Sequence, residues 1–136
     1  MKIMKAADIM TKEVITAKQQ TPLTEVMETL LSKRISGLPV VNDEGLLEGI
    51  VSEIDLVNSM FSGNADETTV GEIMSTNITF FPPDATCAEM ASCFITNRIR
   101  RVPICDHGKV VGIVSRRDIL KHFLTQYNQI KSVRKV

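Results

Sequence analysis

The sequence carries no net charge: 16 Lys and Arg are balanced by 16 Asp and Glu over 136 residues. Such a chain has no general electrostatic hold on a polyanion, and no nucleic-acid partner is expected. Cysteine is scarce, and Cys87, Cys93 and Cys105 form no C-x-x-C pair. An odd count without metal spacing reads as buried free thiols in a reducing compartment, with Cys87 and Cys105 at apolar positions of a helix and a strand pattern. No apolar run approaches the ~18 residues that cross a bilayer, so membrane insertion is not expected. The opening M-K-I-M-K-A-A-D-I-M lacks the apolar stretch of a signal peptide, which makes the cytoplasm the default location. G-x-S-x-G, Walker A, H-E-x-x-H and zinc-knuckle patterns are missing as well. His107 and His122 stand in no ligand spacing with Cys or Asp, so surface roles are expected of them and no metal site.

The charge balance conceals an asymmetry. Residues 1–66 hold 6 basic and 10 acidic side chains, a formal −4, and residues 67–136 hold 10 and 6, a formal +4. The two halves therefore either attract each other, or the second half contains an anion site.

What the sequence does contain is an internal repeat. Residues 8–42 align with 72–106 at an offset of 64, and 45–58 with 108–121 at 63, with 12 identities in 49 pairs. Ile9-Met10 matches Ile73-Met74, Arg34-Ile35 matches Arg98-Ile99, and Pro39 matches Pro103. The string G-I-V-S-x-x-D occurs at Gly49–Asp55 and again at Gly112–Asp118. Repetition at a fixed period marks a duplicated structural unit.

Each copy reads as β-α-β-β-α. A helical turn (A-D-I-M, G-E-I-M) precedes a brief strand near Val14–Thr16 or Ile78–Phe80. An amphipathic helix follows, with one buried stripe: Leu23, Val26, Met27, Leu30 and Leu31, or Cys87, Met90, Ala91, Phe94 and Ile95. Pro22 suits the first helical turn behind Thr21 as a cap. A hairpin comes next, turning at N-D-E-G in one copy and D-H-G in the other. Ser52 and Ser115 then open the last helix of each copy. The expected organisation is a first repeat over 1–61, a polar linker over 62–69, a second repeat over 70–124 and a helix end or tail over 125–136. One copy alone buries its faces poorly. Two copies packed sheet-to-sheet with pseudo-twofold symmetry would share a core and form two clefts between them, an α+β fold.

These residues resemble the cystathionine-β-synthase (CBS) domain family over nearly the whole chain, from Ala6 to Phe123. The family pattern is a D-I-M-T-like start, a hydrophobic-Pro-hydrophobic strand and G-h-h-[ST]-x-x-D. All three parts occur twice here: D-I-M-T and E-I-M-S, L-P-V and V-P-I, G-I-V-S-E-I-D and G-I-V-S-R-R-D. The resemblance implies a regulatory module that binds an adenosyl ligand (AMP, ADP, ATP, S-adenosylmethionine or NAD) between the repeats and acts on a separate polypeptide. It implies that Asp55 and Asp118 hold the ribose hydroxyls and that Ser52 and Ser115 contact ribose or phosphate. It further implies adenine walls at Gly37, Leu38, Pro39 and Val14 in one cleft, and at Val102, Pro103 and Ile78 in the other. The resemblance also implies that Arg101 contacts phosphate. No cofactor is required. Related repeats accompany IMP dehydrogenase barrels, but a catalytic barrel takes ~250 residues, so no enzyme is expected.

Elementary chemistry agrees. A carboxylate accepts two hydrogen bonds from a vicinal diol, and a helix N-terminus presents N–H groups to an anion. S-x-x-D is equally the pattern of a capping box that needs no ligand. Among the basic residues Arg98, Arg100, Arg101, Arg116 and Arg117, the pair Arg116 and Arg117 opens a helix, where cations oppose the dipole unless an anion sits there. Their counterparts are Glu53 and Ile54. The second cleft is thus expected to favour phosphorylated ligands and the first to be weak. The last helix of each copy carries further apolar residues: Leu56, Val57, Met60 and Phe61, and Ile119, Leu120, Phe123 and Leu124. Left exposed, they would be a liability, and a homodimer is expected to cover them. A purely structural dimerisation module with empty clefts is the competing reading.

Overall fold

A computed structural model of the chain describes residues 3–61 and 67–134, with side chains as far as Lys131. Most of the expected linker, 62–66, and the end of the tail lie outside the described residues. The elements in chain order are α1 (Ala6–Ile9), α2 (Leu23–Lys33), β1 (Gly37–Val41), β2 (Leu47–Ser52), α3 (Glu53–Met60), α4 (Val70–Ile73), α5 (Cys87–Asn97), β3 (Arg101–Asp106), β4 (Lys109–Ser115) and α6 (Arg116–Arg134). β1 pairs with β2 and β3 with β4, giving two two-stranded sheets.

The turns follow from local chemistry. Between β1 and β2 the Asn42 side chain accepts from the amides of Glu44 (2.9 Å) and Leu46 (3.0 Å), and Gly45 takes φ +82°. Between β3 and β4, His107 and Gly108 both have positive φ, 52° and 83°, which matches the twist of a two-residue hairpin. The helices α2 and α5 both stop on an arginine in the left-handed region, Arg34 and Arg98. Thr21 does not cap α2: Pro22 is the N-cap, and the Thr21 hydroxyl instead accepts from the Lys18 amide at 3.0 Å. The brief strand expected at the start of each copy is a single bridging residue. Ala17 exchanges bonds with Pro39 and Val41 (3.0 and 2.9 Å), and Phe81 with Pro103 and Cys105 (3.1 and 2.9 Å).

The chain divides into two compact units, and these are not the sequence repeats. The first unit gathers the described residues of 14–79 with 107–110, and the second those of 1–13, 80–106 and 111–136. In the first, Leu23, Val26 and Leu30 of α2 pack with Leu38, Val40, Val51, Leu56 and Val70. In the second, Ala6 packs with Met90, Phe94, Val102, Ile104 and Val114. The opening helix of each sequence repeat therefore belongs to the unit built around the other repeat's hairpin.

The paired motifs explain this exchange. Thr11 and Ile113 trade backbone bonds at 2.9 and 3.0 Å, as Ser75 and Ile50 do at 2.8 and 2.9 Å. A Cβ on Gly49 would stand 2.8 Å from Cγ of Met74, and one on Gly112 would stand 2.7 Å from Cγ of Met10. The methionine of each I-M pair thus lies on the glycine of G-I-V-S, and a Cβ there would push the methionine side chain aside.

Two stripe residues depart from expectation. Leu31 and Ile95 are about four-fifths exposed, because each unit buries only the a/d-like side of its helix. Among the cysteines, all free, Cys105 is buried while Cys87 and Cys93 are only partly so. Burial pushes both the Cys105 and the Cys87 thiol up, the latter with help from the negative charge of Asp8.

Candidate functional site

In both units, the G-I-V-S-x-x-D string runs from a strand directly into a helix, and its serine and aspartate close a reciprocal cap. At the start of α3, Asp55 Oδ2 accepts from the Ser52 amide (2.9 Å) and the Ser52 hydroxyl (3.0 Å), and the Asp55 amide donates to Ser52 Oγ at 3.4 Å. At the start of α6 the same three contacts are tighter, at 2.8, 2.9 and 3.2 Å. The capping reading of S-x-x-D is therefore realised in both copies. It does not consume the carboxylates. All contacts from the serine converge on Oδ2, whereas a carboxylate offers about four lone-pair sites over two oxygens.

The helix N-termini are less open than the sequence suggested. The amide of Glu53 donates to the Ser36 carbonyl at 2.9 Å and that of Arg116 to the Arg100 carbonyl at 3.0 Å. With the third amide held by serine, two of the first-turn donors are spent before any anion arrives.

Around this cap the sequence candidates assemble as follows. Gly37 is the register partner of Ser52, which places both beside Asp55 at one end of the β1–β2 pair. A Cβ on Gly37 would stand 2.9 Å from the Val51 carbonyl oxygen. In the second unit Ser115, Asp118, Arg116 and Arg117 share the start of α6, and Arg101 opens β3. Arg116 and Arg117 are exposed and Arg101 is partly buried.

The proposed adenine walls behave differently. Leu38 and Val102 are buried in the two cores, and Pro39 and Pro103 are almost completely buried. The carbonyls of both prolines already accept backbone bonds. Val14 is half-buried and sits in the first unit with Asp55. Ile78 also falls in the first unit, whereas the other second-repeat candidates fall in the second. His107 is an exposed turn residue. His122 departs from its expected surface role: its Nε2 atom is buried without a hydrogen-bond partner among the described residues.

Among the described residues no group of three or more His, Cys, Asp or Glu is placed to hold a metal ion, and no helix is long and apolar enough to cross a membrane.

Comparisons with known proteins place this geometry. The CBS domain profile matches residues 6–62 and again 70–125. A crystal structure of a putative acetoin utilization protein from Vibrio cholerae superposes with a TM-score of 0.88 at 26% identity, covering 96% of this chain and 98% of that one. The CBS domain pair of protein MJ0100, in complex with 5′-methylthioadenosine and S-adenosyl-L-methionine, gives 0.80 at 30% identity, with 92% and 99% covered. CBSX2 of Arabidopsis thaliana in complex with AMP gives 0.84 at 26% identity, with 90% and 98% covered. An uncharacterised protein of Methanocaldococcus jannaschii is 28% identical over 114 residues; the match takes in 84% of this chain and 41% of that protein. The inosine-5′-monophosphate dehydrogenase of the same organism is 31% identical over 88% of this chain, which spans only 23% of the enzyme. That likeness runs through the CBS repeats alone. With both repeats matched and their serine–aspartate caps formed, the chain belongs to the CBS-domain family and carries one tandem pair of its repeats.

Proposed function

We propose that the chain is a regulatory module that binds an adenine nucleotide or related adenosyl ligand and acts on a separate protein. The observation that carries this reading is the Ser115–Asp118 cap. It fixes the carboxylate through one oxygen and leaves the accepting capacity of the other for a ribose hydroxyl. Arg116 and Arg117, exposed in the first turn of α6, oppose the helix dipole unless a phosphate neutralises them. Two solved relatives, MJ0100 and CBSX2, hold adenosyl ligands. The Asp118 site takes the phosphorylated ligand, and the Asp55 site, with Glu53 in place of arginine, is the weaker. A thermal-shift panel of AMP, ADP, ATP, S-adenosylmethionine and NAD tests the reading. A dose-dependent rise of the midpoint for at least one ligand is expected, and no shift at millimolar ligand overturns it.

A homodimer is part of the same proposal. Met60 and Phe61 of the first unit are 54% and 87% exposed, and Leu120, Phe123 and Leu124 of the second are 68%, 68% and 58% exposed. Leu56 and Ile119 turn inward to the cores and leave that surface. These exposed side chains also favour the second reading, a structural dimerisation module. Light scattering should give twice the 15.1 kDa chain mass, and a clean monomer at tens of micromolar rejects the dimer in either reading.

A further inference from the structure

The last helices of the two repeats leave matching apolar faces open. In α3, Val57, Met60 and Phe61 are exposed, and at an offset of 63 they align with Leu120, Phe123 and Leu124 of α6, which are exposed as well. Both triplets follow i, i+3, i+4, a spacing that gathers three side chains on one side of a helix.

The charges around these faces have opposite sign. Residues 53–61 hold two acidic side chains and no basic one, a formal −2, and the aligned residues 116–124 hold three basic and one acidic, a formal +2. Glu53 is exposed on the first, and Arg116, Arg117 and Lys121 on the second, whereas Asp55 and Asp118 are engaged in their caps. The neighbouring helices preserve the contrast. α2, packed beside α3, adds Glu25 and Glu28 against Lys33, and α5, packed beside α6, adds only Glu89. The first pair of helices is left at a formal −3 and the second at +1.

These signs decide how two copies meet. If α3 met α3 and α6 met α6, each apolar contact would bring together charges of one sign. If α3 meets α6, every contact brings opposite signs together. Complementarity of this kind fixes the orientation of an interface and disfavours the wrong one. A twofold axis makes the contact reciprocal, because whatever one copy presents to its partner the partner presents in return. The chain carries both halves of a matched pair, so the occupant these faces fit is a second copy of itself.

We propose that α3 of one protomer docks on α6 of its partner and α6 on α3, so that the first unit of each copy faces the second unit of the other. The pairing rests on the homodimer reading above. Two substitutions of opposite charge test it by sedimentation equilibrium at low salt. Lys121→Glu should raise the dimer dissociation constant at least about threefold, as loss of attraction between exposed charges predicts, and the rise should shrink in high salt. Glu53→Lys should weaken the dimer as well. In the like-to-like arrangement both substitutions would relieve repulsion and tighten it. Cross-linking reads the orientation independently, using a short bismaleimide on chains carrying Met60→Cys or Phe123→Cys, with the wild type as the control for its own cysteines. Cross-linked dimer should form several-fold more in an equilibrated mixture of the two variants than in either alone. The pairing is overturned if either charge substitution tightens the dimer, if neither changes it at low salt, or if one cysteine variant alone cross-links as well as the mixture. A wild type that sediments as a monomer at tens of micromolar leaves these faces to another protein and overturns the homodimer itself, the pairing included.

Discussion

Replacing Asp118 with alanine separates the two jobs assigned to that residue. The substitution removes the acceptor for the Ser115 amide (2.8 Å) and hydroxyl (2.9 Å). It leaves the serine hydroxyl free to accept from the amide at position 118, so half of the reciprocal cap survives. Losing one capping interaction costs about 1 kcal/mol, and stranding a partly buried amide adds on the order of 1 kcal/mol at most. Stability should therefore fall by about 1–2 kcal/mol. Ligand binding should suffer more: hydrogen bonds to a charged acceptor are worth roughly 1.5–3 kcal/mol, which is at least a ~10-fold loss at about 1.4 kcal/mol per decade. Stability is read from urea denaturation without ligand, and affinity from calorimetric titration with AMP under conditions where the variant is folded. Asp55→Ala is the internal control, because its cap has the same three contacts. It should lose similar stability while barely changing AMP affinity. If Asp118→Ala loses stability and AMP affinity stays at the wild-type value, the aspartate is a cap and nothing more.

Three further outcomes are expected. Glu53→Arg copies the aligned Arg116 and should raise the number of AMP or ATP molecules bound per chain in calorimetry; two equal sites already present in the wild type would refute the use of the charge difference. Gly37→Ala drives a Cβ to 2.9 Å from the Val51 carbonyl oxygen, a backbone atom that cannot swing aside, and should destabilise the chain by about 1–3 kcal/mol in a denaturant melt; an unchanged midpoint would show that the sheet end relaxes freely. Since burial raises the thiol pKa of Cys87 and Cys105, less thiolate is present at pH 8 than in an exposed cysteine, so iodoacetamide should alkylate both more slowly than a cysteine peptide, the gap narrowing as pH rises; rates equal to the peptide's would contradict it.

Much of this architecture is written in the sequence because it depends on local signals. The i, i+3, i+4 apolar spacing locates α2 and α5, the Asn, Asp and Gly turns locate both hairpins, and S-x-x-D locates the starts of α3 and α6. The exchange of the opening helices is not local. Met10 and Gly112 stand far apart in the chain, and nothing in either motif tells which copy's glycine its methionine will cover. The exposure of Leu31 and Ile95 was hidden for a similar reason: periodicity marks an apolar side of a helix, but the width actually covered depends on what packs against it. At the candidate site, S-x-x-D announced the serine–aspartate caps but not that the flanking carbonyls of Ser36 and Arg100 take up first-turn amides. It also treated His122 as a surface residue, since burial of a single ring nitrogen leaves no trace in a helical pattern.

The central claim is that the Asp118 end of the second unit binds a phosphorylated adenosyl ligand. Its most direct test is calorimetric titration of the wild-type protein with AMP and, in parallel, with adenosine, repeated on Arg101→Ala. Saturable binding of AMP is expected, tighter than that of adenosine. Arg101→Ala should weaken AMP while leaving adenosine nearly unchanged, and that difference should shrink in high salt as the phosphate contact is screened. No saturable heat with AMP at millimolar concentration, or equal losses for AMP and adenosine in Arg101→Ala, would contradict the account.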